Sequence, residues 1–257
     1  MKTLLIDGNS LIHRAFYALP LLSTEDGTYT NAVYGFLKMF YRVADEYQPD
    51  HVVCAFDVKQ PTFRHERYAA YKAGRKKMPE ELVPQIPLLK EILTALGVRC
   101  AEAPGFEADD IIGTYSLLSD EEGGACVVLT GDRDALQLIS ENTTVWLTKK
   151  GITEVEKLTP EGLMDAYGLT PAQICDLKGL MGDSSDNIPG IAGVGEKTAL
   201  SLLEKYRCLE NVLAHAEEIP GKLGEKIRAG AEAAKESKFL ATIVRDVEVA
   251  PLRECVY

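Results

Sequence analysis

Nine acidic residues recur in five short segments of this 257-residue chain. They are Asp7 in LLIDGN, Asp57 in AFD, Glu107, Asp109 and Asp110 in EADD, Asp132 and Asp134 in GDRD, and Asp183 and Asp186 in GDSSD. Gathered in one place, so many carboxylates repel one another and drive each other's pKa upward, and divalent cations remove that conflict. None of these segments sets a His or Cys at metal-ligand spacing. A site built from them is therefore all oxygen and suits Mg2+ or Mn2+ rather than Zn2+. Two such ions about 4 Å apart form a clamp for phosphodiester hydrolysis. Singly, an Asp after a strand is an ordinary turn former or helix cap; recurrence at several strand ends is what points to a shared cluster.

The elements around these acids must bring them together. Three apolar runs end in an acid: TLLIDGN (3–9), HVVCAFD (51–57) and ACVVLTGD (125–132). Their nearly continuous apolar character predicts strands covered on both faces. Helical patterns lie between them, NAVYGFLKMFYRVADEY (31–47) and PEELVPQIPLLKEILTALG (79–97). The alternation predicts an α/β fold with a mostly parallel sheet, whose ligands collect at the carboxyl ends of the strands. Asp7, Asp57 and Asp132 then share one edge. EADD opens a helix, where backbone N–H groups favour anions. Asp183 and Asp186, three apart, fit one helical turn or a tight loop. From about residue 160 the pattern changes to short helices with Gly, Pro and Asn turns, including TPEGLMDAYGL, TPAQICDLKGLMG and TALSLLEKY. The tail, DVEVAPLRECVY, reads as ending in a strand without a polar terminus, as in a chain cut from something longer.

A second group of residues suits phosphate. FRHERYAAYKAGRKK (63–77) mixes Arg64, Arg67, Lys72, Arg75, Lys76 and Lys77 with Phe63, Tyr68 and Tyr71. Lysine and arginine neutralise backbone phosphates, and aromatic rings offer stacking faces to unpaired bases. At helical spacing Arg64, Tyr68, Tyr71 and Arg75 fall along one side. Arg14, shortly after Asp7, is a further cation near the strand edge.

The run GDSSDNIPGIAGVGEKTA (182–199) is also a phosphate-cradle candidate, and its spacing excludes a nucleotide. Gly190 and Gly195 have the separation of a Walker A loop, but Glu196 stands where that loop needs lysine, so Lys197 and Thr198 each come one place late. No strand precedes it, and no third glycine completes a dinucleotide fingerprint. What remains is helix, turn, Gly193-Val194-Gly195, helix. Such a hairpin lets backbone N–H groups approach a phosphate of a duplex without reading bases.

Composition sets the outer bounds. Hydrophobic residues make up 46% and charged residues 26%, as in a soluble globular protein, and no apolar run is long enough to span a bilayer. The start, MKTLLIDGNS, lacks a signal-peptide apolar region. The six cysteines are scattered with no CxxC pair, which predicts buried thiols in a reducing cytoplasm. The net charge of −11 argues against a uniformly basic surface, yet seven Lys/Arg and only Glu66 lie between Lys59 and Lys77.

These motifs run nearly end to end in the order of a known family. LLIDGNSLIHRAFYALP, NAVYGF, FDVKQPTFRHERYAAYKAGR, EADDIIG, TGDRDALQL and GLMGDSSDNIPGIAGVGEKTA resemble the 5′-nuclease (flap endonuclease) superfamily. The resemblance is strongest to the 5′→3′ exonuclease domains at the N-terminal end of bacterial DNA polymerases. It implies a PIN-like α/β core over 1–170, with a basic helical arch at about 63–90, and a helix-hairpin-helix region over 171–257. It implies a monomeric, cytoplasmic, nucleoid-associated enzyme of replication and repair that cuts 5′ flaps, nicks and single-stranded 5′ ends of DNA and removes RNA primers.

By motif, Asp7, Asp57, Glu107 and Asp109 would hold a first Mg2+, and Asp132, Asp134, Asp183 and Asp186 a second, with Mn2+ as substitute. Asp110 would be an additional acid acting through water. Asp7 and Asp183 would belong to the catalytic set with Lys72 and Arg75, which draw in the scissile phosphate. Arg14, Phe16, Arg64, Arg67, Tyr71, Lys76 and Lys77 would contact DNA, as would Gly193, Val194, Gly195, Lys197 and Thr198 of the hairpin. A monovalent cation, K+ or Na+, would sit on backbone carbonyls around Ile191 and Val194. A covalently linked polymerase domain is a further implied partner. Two other readings stay open at this point: a non-catalytic module for branched DNA, and a related ribonuclease.

Overall fold

Aliphatic runs that cannot tolerate water on either face become the centre of a six-stranded sheet. The strands of the computed structural model, which describes residues 1–149 and 151–257, are β1 (Lys2–Asp7), β2 (His51–Ala55), β3 (Arg99–Ala101), β4 (Ala125–Thr130), β5 (Thr143–Thr148) and β6 (Val155–Leu158). They lie in the order β3-β2-β1-β4-β5-β6, all parallel except the antiparallel edge strand β6. The strands expected at 3–9, 51–57 and 125–132 thus form its middle, each stopping before its run of residues ends. Asp7 closes β1 because its carboxylate caps the next helix, with Ser10 N donating to Oδ1 at 2.9 Å. β3, β5 and β6 have no clear apolar signal: β3 is three residues long, and β5 carries threonine at three of its six positions.

Helices cover both faces. In chain order they are α1 (Gly8–Ala18), α2 (Asn31–Tyr47), the short α3 (Phe63–Arg67), α4 (Gln85–Ala95) and α5 (Ala108–Glu121). Leu4, Ile6, Val52, Cys54, Val127 and Leu129 share one core with α1, α2 and α4, through residues such as Leu11, Phe36, Phe40 and Leu89. Alternation sends Leu5, Val53 and Val128 to the other face, where they are equally buried and α5 runs along β1, β2 and β4. Gly35 lets α1 and α2 touch, since a Cβ there would lie 2.8 Å from that of Ala15. The helix expected over 79–97 begins only at Gln85, preceded by turns in which Leu82 N donates to Pro79 O and Gln85 N to Leu82 O, each at 3.0 Å. Gln85 is fully buried and its Oε1 accepts from Ala32 N at 2.8 Å, satisfying an otherwise orphaned donor of α2.

By packing, the chain divides into two compact units. The first contains Met1–Thr62, Lys77–Gly162 and Val244–Tyr257, and the second contains Phe63–Lys76 and Leu163–Ile243. The remaining helices are α6 (Pro160–Tyr167), within which the chain passes between units, α7 (Gln173–Met181), α8 (Glu196–Tyr206), α9 (Leu209–Ala214), α10 (Gly221–Ala229) and α11 (Ala231–Ala241). α7 lies tightly on α11, where a Cβ on Gly179 would come within 3.0 Å of Lys238 Cβ. Among the described residues no helix is long and apolar enough to cross a membrane, and all six cysteines are unbridged.

The basic segment 63–76 departs from the expected continuous helix. Helical geometry ends at Arg67, and Lys72 takes a left-handed backbone, φ 56°. Arg64 is 2% exposed and donates through Nε to Leu240 O at 2.9 Å and through Nη2 to Thr242 O at 2.7 Å, closing the carboxyl end of α11. Tyr71 is buried with Ile188, Leu240 and Ala241. These two residues are internal supports of the second unit rather than a face for nucleic acid: two α11-end carbonyls need donors, and the ring fills their core. Replacing Arg64 with Met should therefore destabilise the protein by about 2–4 kcal/mol, read from urea unfolding. An unchanged midpoint would return Arg64 to the surface-cation role.

Candidate active site

The carboxyl ends of β1, β2 and β4 carry the acids of the first unit. Asp7 is 5% exposed; its Oδ1 accepts from Ser10 N and its Oδ2 from Thr130 Oγ1 at 2.7 Å. Asp132 follows β4, with its amide donating to Thr130 Oγ1 at 3.0 Å and its Oδ1 accepting from Asp134 N at 3.0 Å, so both GDRD acids lie at the start of a 3-10 turn. Gly131, between Thr130 and Asp132, is hemmed in, because a Cβ there would meet Ser10 Oγ at 2.9 Å. Asp57, exposed beyond β2, accepts from Asn9 Nδ2 at 2.9 Å and from Ala108 N at 2.8 Å. That second bond places Asp57 at the N-terminus of α5, whose amides favour anions.

EADD opens α5 as expected, but its acids differ in work. Glu107 is the buried N-cap and Asp109 is half-buried in the first turn. Asp110 is fully buried, and its two oxygens accept from Glu107 N at 3.0 Å and Val244 N at 2.9 Å. Asp110 thereby ties the start of α5 to the returning C-terminal segment, a structural duty that the spacing of EADD does not reveal.

In the second unit GDSSD forms a closed loop, with Asp183 and Ile188 exchanging backbone hydrogen bonds at 2.8 Å each. Gly182 (φ 75°) and Gly190 (φ 61°) press their backbones together at its neck, where a Cβ on Gly190 would lie 2.2 Å from Gly182 N. Asp183 accepts from Ser185 N at 2.8 Å and pairs with Lys178 Nζ at 2.6 Å. Half-burial works to raise its pKa, but Lys178 and Ser185 outweigh that and hold it at about 2. Asp186 pairs with Arg75 at 2.5 Å and Lys72 at 3.8 Å, and Tyr71 Oη lies 3.4 Å from its Oδ2. Arg67 is engaged with Glu236 at 2.9 Å, while Lys76 and Lys77 are exposed.

The hairpin follows. Gly193 has φ 74°, the side chains of Ile191 and Val194 are buried, and α8 starts at Glu196 without a side-chain cap. Its first amides are therefore donors for an anion, beside exposed Lys197 and half-buried Thr198. Lys226 Nζ donates to Gly193 O at 3.2 Å.

On α1, Arg14 donates to Lys149 O and lines a shallow cavity of about 370 Å³ with Ser10, His13 and Tyr17. Phe16 is partly buried against the core. Tyr17, 71% exposed, stacks on His13 and meets Phe16 edge-on. Sequence reasoning missed Asn9, Ser10, Thr130 and Lys178, which hold the carboxylates. Asp-x-x-Ser in DGNS was the one legible signal, as a capping pattern.

Among the described residues no three acidic, His or Cys side chains converge as a ready-made coordination set. Many of the carboxylates turn to donors of the chain itself. The donor chemistry nonetheless fits hard divalent ions. Burial raises the pKa of Asp7 to about 7; Ser10 and Thr130 oppose the rise, and the neighbouring charges of Asp132 and Asp57 add to it. A cation there relieves both burial and repulsion. At Asp183 and Asp186 a lysine ammonium and an arginine guanidinium already occupy cation positions.

Because folded Asp7 binds its proton more tightly than the unfolded chain does, its ionisation lowers stability as pH climbs from 3.8 to about 7. In chelator, Asp7→Asn should thus be more stable than wild type by an amount that grows over this range, to at most about 4 kcal/mol. Thermal melts between pH 4 and 8 measure it, and a pH-independent difference would refute the buried, crowded Asp7.

Comparison with known proteins agrees with this architecture. Residues 2–168 match the 5′-3′ exonuclease N-terminal resolvase-like domain, and residues 169–256 the 5′-3′ exonuclease C-terminal SAM fold. DNA polymerase I of Geobacillus stearothermophilus is 53% identical over 249 residues, and that of Bacillus subtilis 49%. Each alignment takes in 96% of this chain but only 28% of the polymerase, so the chain spans less than a third of these relatives. A bacteriophage T5 D15 flap endonuclease, solved as a pseudo-enzyme–product complex with DNA and metal ions, superposes with a TM-score of 0.76 at 19% identity. It covers 94% of this chain and 89% of its own, which shows a common fold. The two family models together span residues 2–256, and the chain belongs to the 5′-3′ exonuclease family.

Proposed function

We propose that the chain is a metal-dependent, structure-specific 5′-nuclease that hydrolyses DNA phosphodiesters at 5′ flaps, nicks and 5′ ends, RNA primers included, in replication and repair. The observation that carries this reading is the buried Asp7 at the end of β1, crowded by the charges of Asp57 and Asp132. Two Mg2+ ions, with Mn2+ able to substitute, would activate water and offset charge on the reacting phosphate. In the first unit Asp7, Asp57, Glu107, Asp109, Asp132 and Asp134 would serve as metal ligands, and in the second Asp183 and Asp186. Lys72 and Arg75 would orient the scissile phosphate by charge. Arg14, Arg67, Lys76 and Lys77 would neutralise neighbouring phosphates, and the amides from Gly193 to Thr198, with Lys197, would grip the duplex backbone. Since the side chains of Ile191 and Val194 are buried, only their carbonyls could serve a K+ or Na+ ion at the hairpin. A monomer at work in the cytoplasm on the nucleoid, joined to a polymerase domain as in its relatives, completes the proposal.

The test is cleavage of a 5′-labelled flap duplex by the purified chain, with Mg2+ and with chelator. Metal-dependent release of a short 5′ product is expected, and Asp183→Asn should slow it at least about 100-fold. Salt-sensitive binding with no product in Mg2+ or Mn2+ would instead identify a non-catalytic module for branched DNA. A normal rate in Asp183→Asn would remove that residue from the metal set.

A further inference from the structure

Each acid of GDSSD faces a cation supplied by the chain itself. Lys178, on α7 just before the loop, sets Nζ 2.6 Å from Asp183 Oδ2, with the two side chains only 16% and 17% exposed. Arg75 and Lys72 stand at Asp186, whose side chain is 9% exposed. Exposed ion pairs of this kind count for little. At the depth of Lys178, Asp183 and Lys72 screening is weak, while Arg75 is 50% exposed and better screened. An ammonium and a divalent ion on one carboxylate repel strongly.

We infer that Lys178, together with Arg75 and Lys72, is an internal counter-cation of the GDSSD carboxylates that a divalent ion must displace. The inference rests on the metal-dependent reading above and gives it an order of events. Before exchange, the loop keeps its shape without an ion, because Ser185 N and Oγ hold Asp183 Oδ1 at 2.8 and 2.6 Å and the Asp183–Ile188 backbone pair closes the neck. Exchange leaves that scaffold in place. It takes Asp183 Oδ2 from Lys178 and the Asp186 oxygens from Arg75 and Lys72. Of the released side chains, Arg75 and Lys72 carry positive charge on the segment that the sequence marks for phosphate. Metal entry and readiness for the substrate phosphate are therefore one coupled step, and Lys178 is a positioning residue that sets its threshold.

Mn2+ titration of the full chain without DNA, with free Mn2+ followed by electron paramagnetic resonance, tests this. Lys178→Met keeps the length of the side chain and removes its charge. It should tighten one class of Mn2+ sites at least about fivefold, whereas Lys178→Arg should stay within about twofold of wild type. Adding Asp183→Asn to Lys178→Met should abolish the gain. Unchanged affinity in Lys178→Met overturns the exchange, and weaker affinity overturns it too, by making Lys178 a mere orienter of the ligand. Should Lys178→Met not fold, Arg75→Met carries the same expectation at Asp186. A wild-type chain that binds no Mn2+ at all defeats the metal-dependent reading itself, a failure distinct from the first two.

Discussion

Everything about this site follows from the cost of burying negative charge at the carboxyl edge of a parallel sheet. Asp7 ends the central strand at 5% exposure, and Asp57 and Asp132 follow the strands on either side of it. Burial and repulsion together push its pKa to about 7. The fold answers with fixed donors: Ser10 N, Thr130 Oγ1, and for Asp57 the first amide of α5. These donors soften the charge without cancelling it. In the proposed function a divalent cation would supply the remaining counter-charge, with the acids as its ligands rather than as ordinary caps.

The second unit solves the same problem differently. There the carboxylates are matched by full positive charges from the chain, Lys178 at Asp183 and Arg75 with Lys72 at Asp186. The basic segment thus splits into two classes that share one stretch of sequence. Arg64 and Tyr71 are buried structural members, while Lys76 and Lys77 remain at the surface and Lys72 and Arg75 stand between these roles. The end of helical geometry at Arg67, followed by the left-handed Lys72, makes that split possible, because a continuous helix would have kept Arg64, Tyr71 and Arg75 on one face.

Much of this was legible before any coordinates. Strands that are apolar on both faces announce themselves as β1, β2 and β4 did, and the acids at their ends fall on one edge of the sheet. The GDSSD and GVG stretches also identified a non-nucleotide hairpin, because a single misplaced lysine excludes a Walker loop. What stayed hidden depends on partners remote in sequence. Asp110 looks like its neighbour Asp109, yet its oxygens meet Glu107 N and Val244 N. Arg64 looks like any cation of its run until the carbonyls of Leu240 and Thr242 claim it. Lys178 sits in an unremarkable helix and matters only through a loop five residues on. Short or Thr-bearing strands such as β3 and β5 lack the periodicity that exposes an element.

The central claim is that the strand-edge acids form a site completed by divalent cations. The most direct measurement is the melting temperature of the whole chain at pH 8 as Mg2+ replaces NaCl at constant ionic strength. A ligand that binds only the folded state stabilises it by mass action, so the account predicts a saturating rise specific to the divalent ion. A rise no greater than that produced by NaCl alone would contradict it.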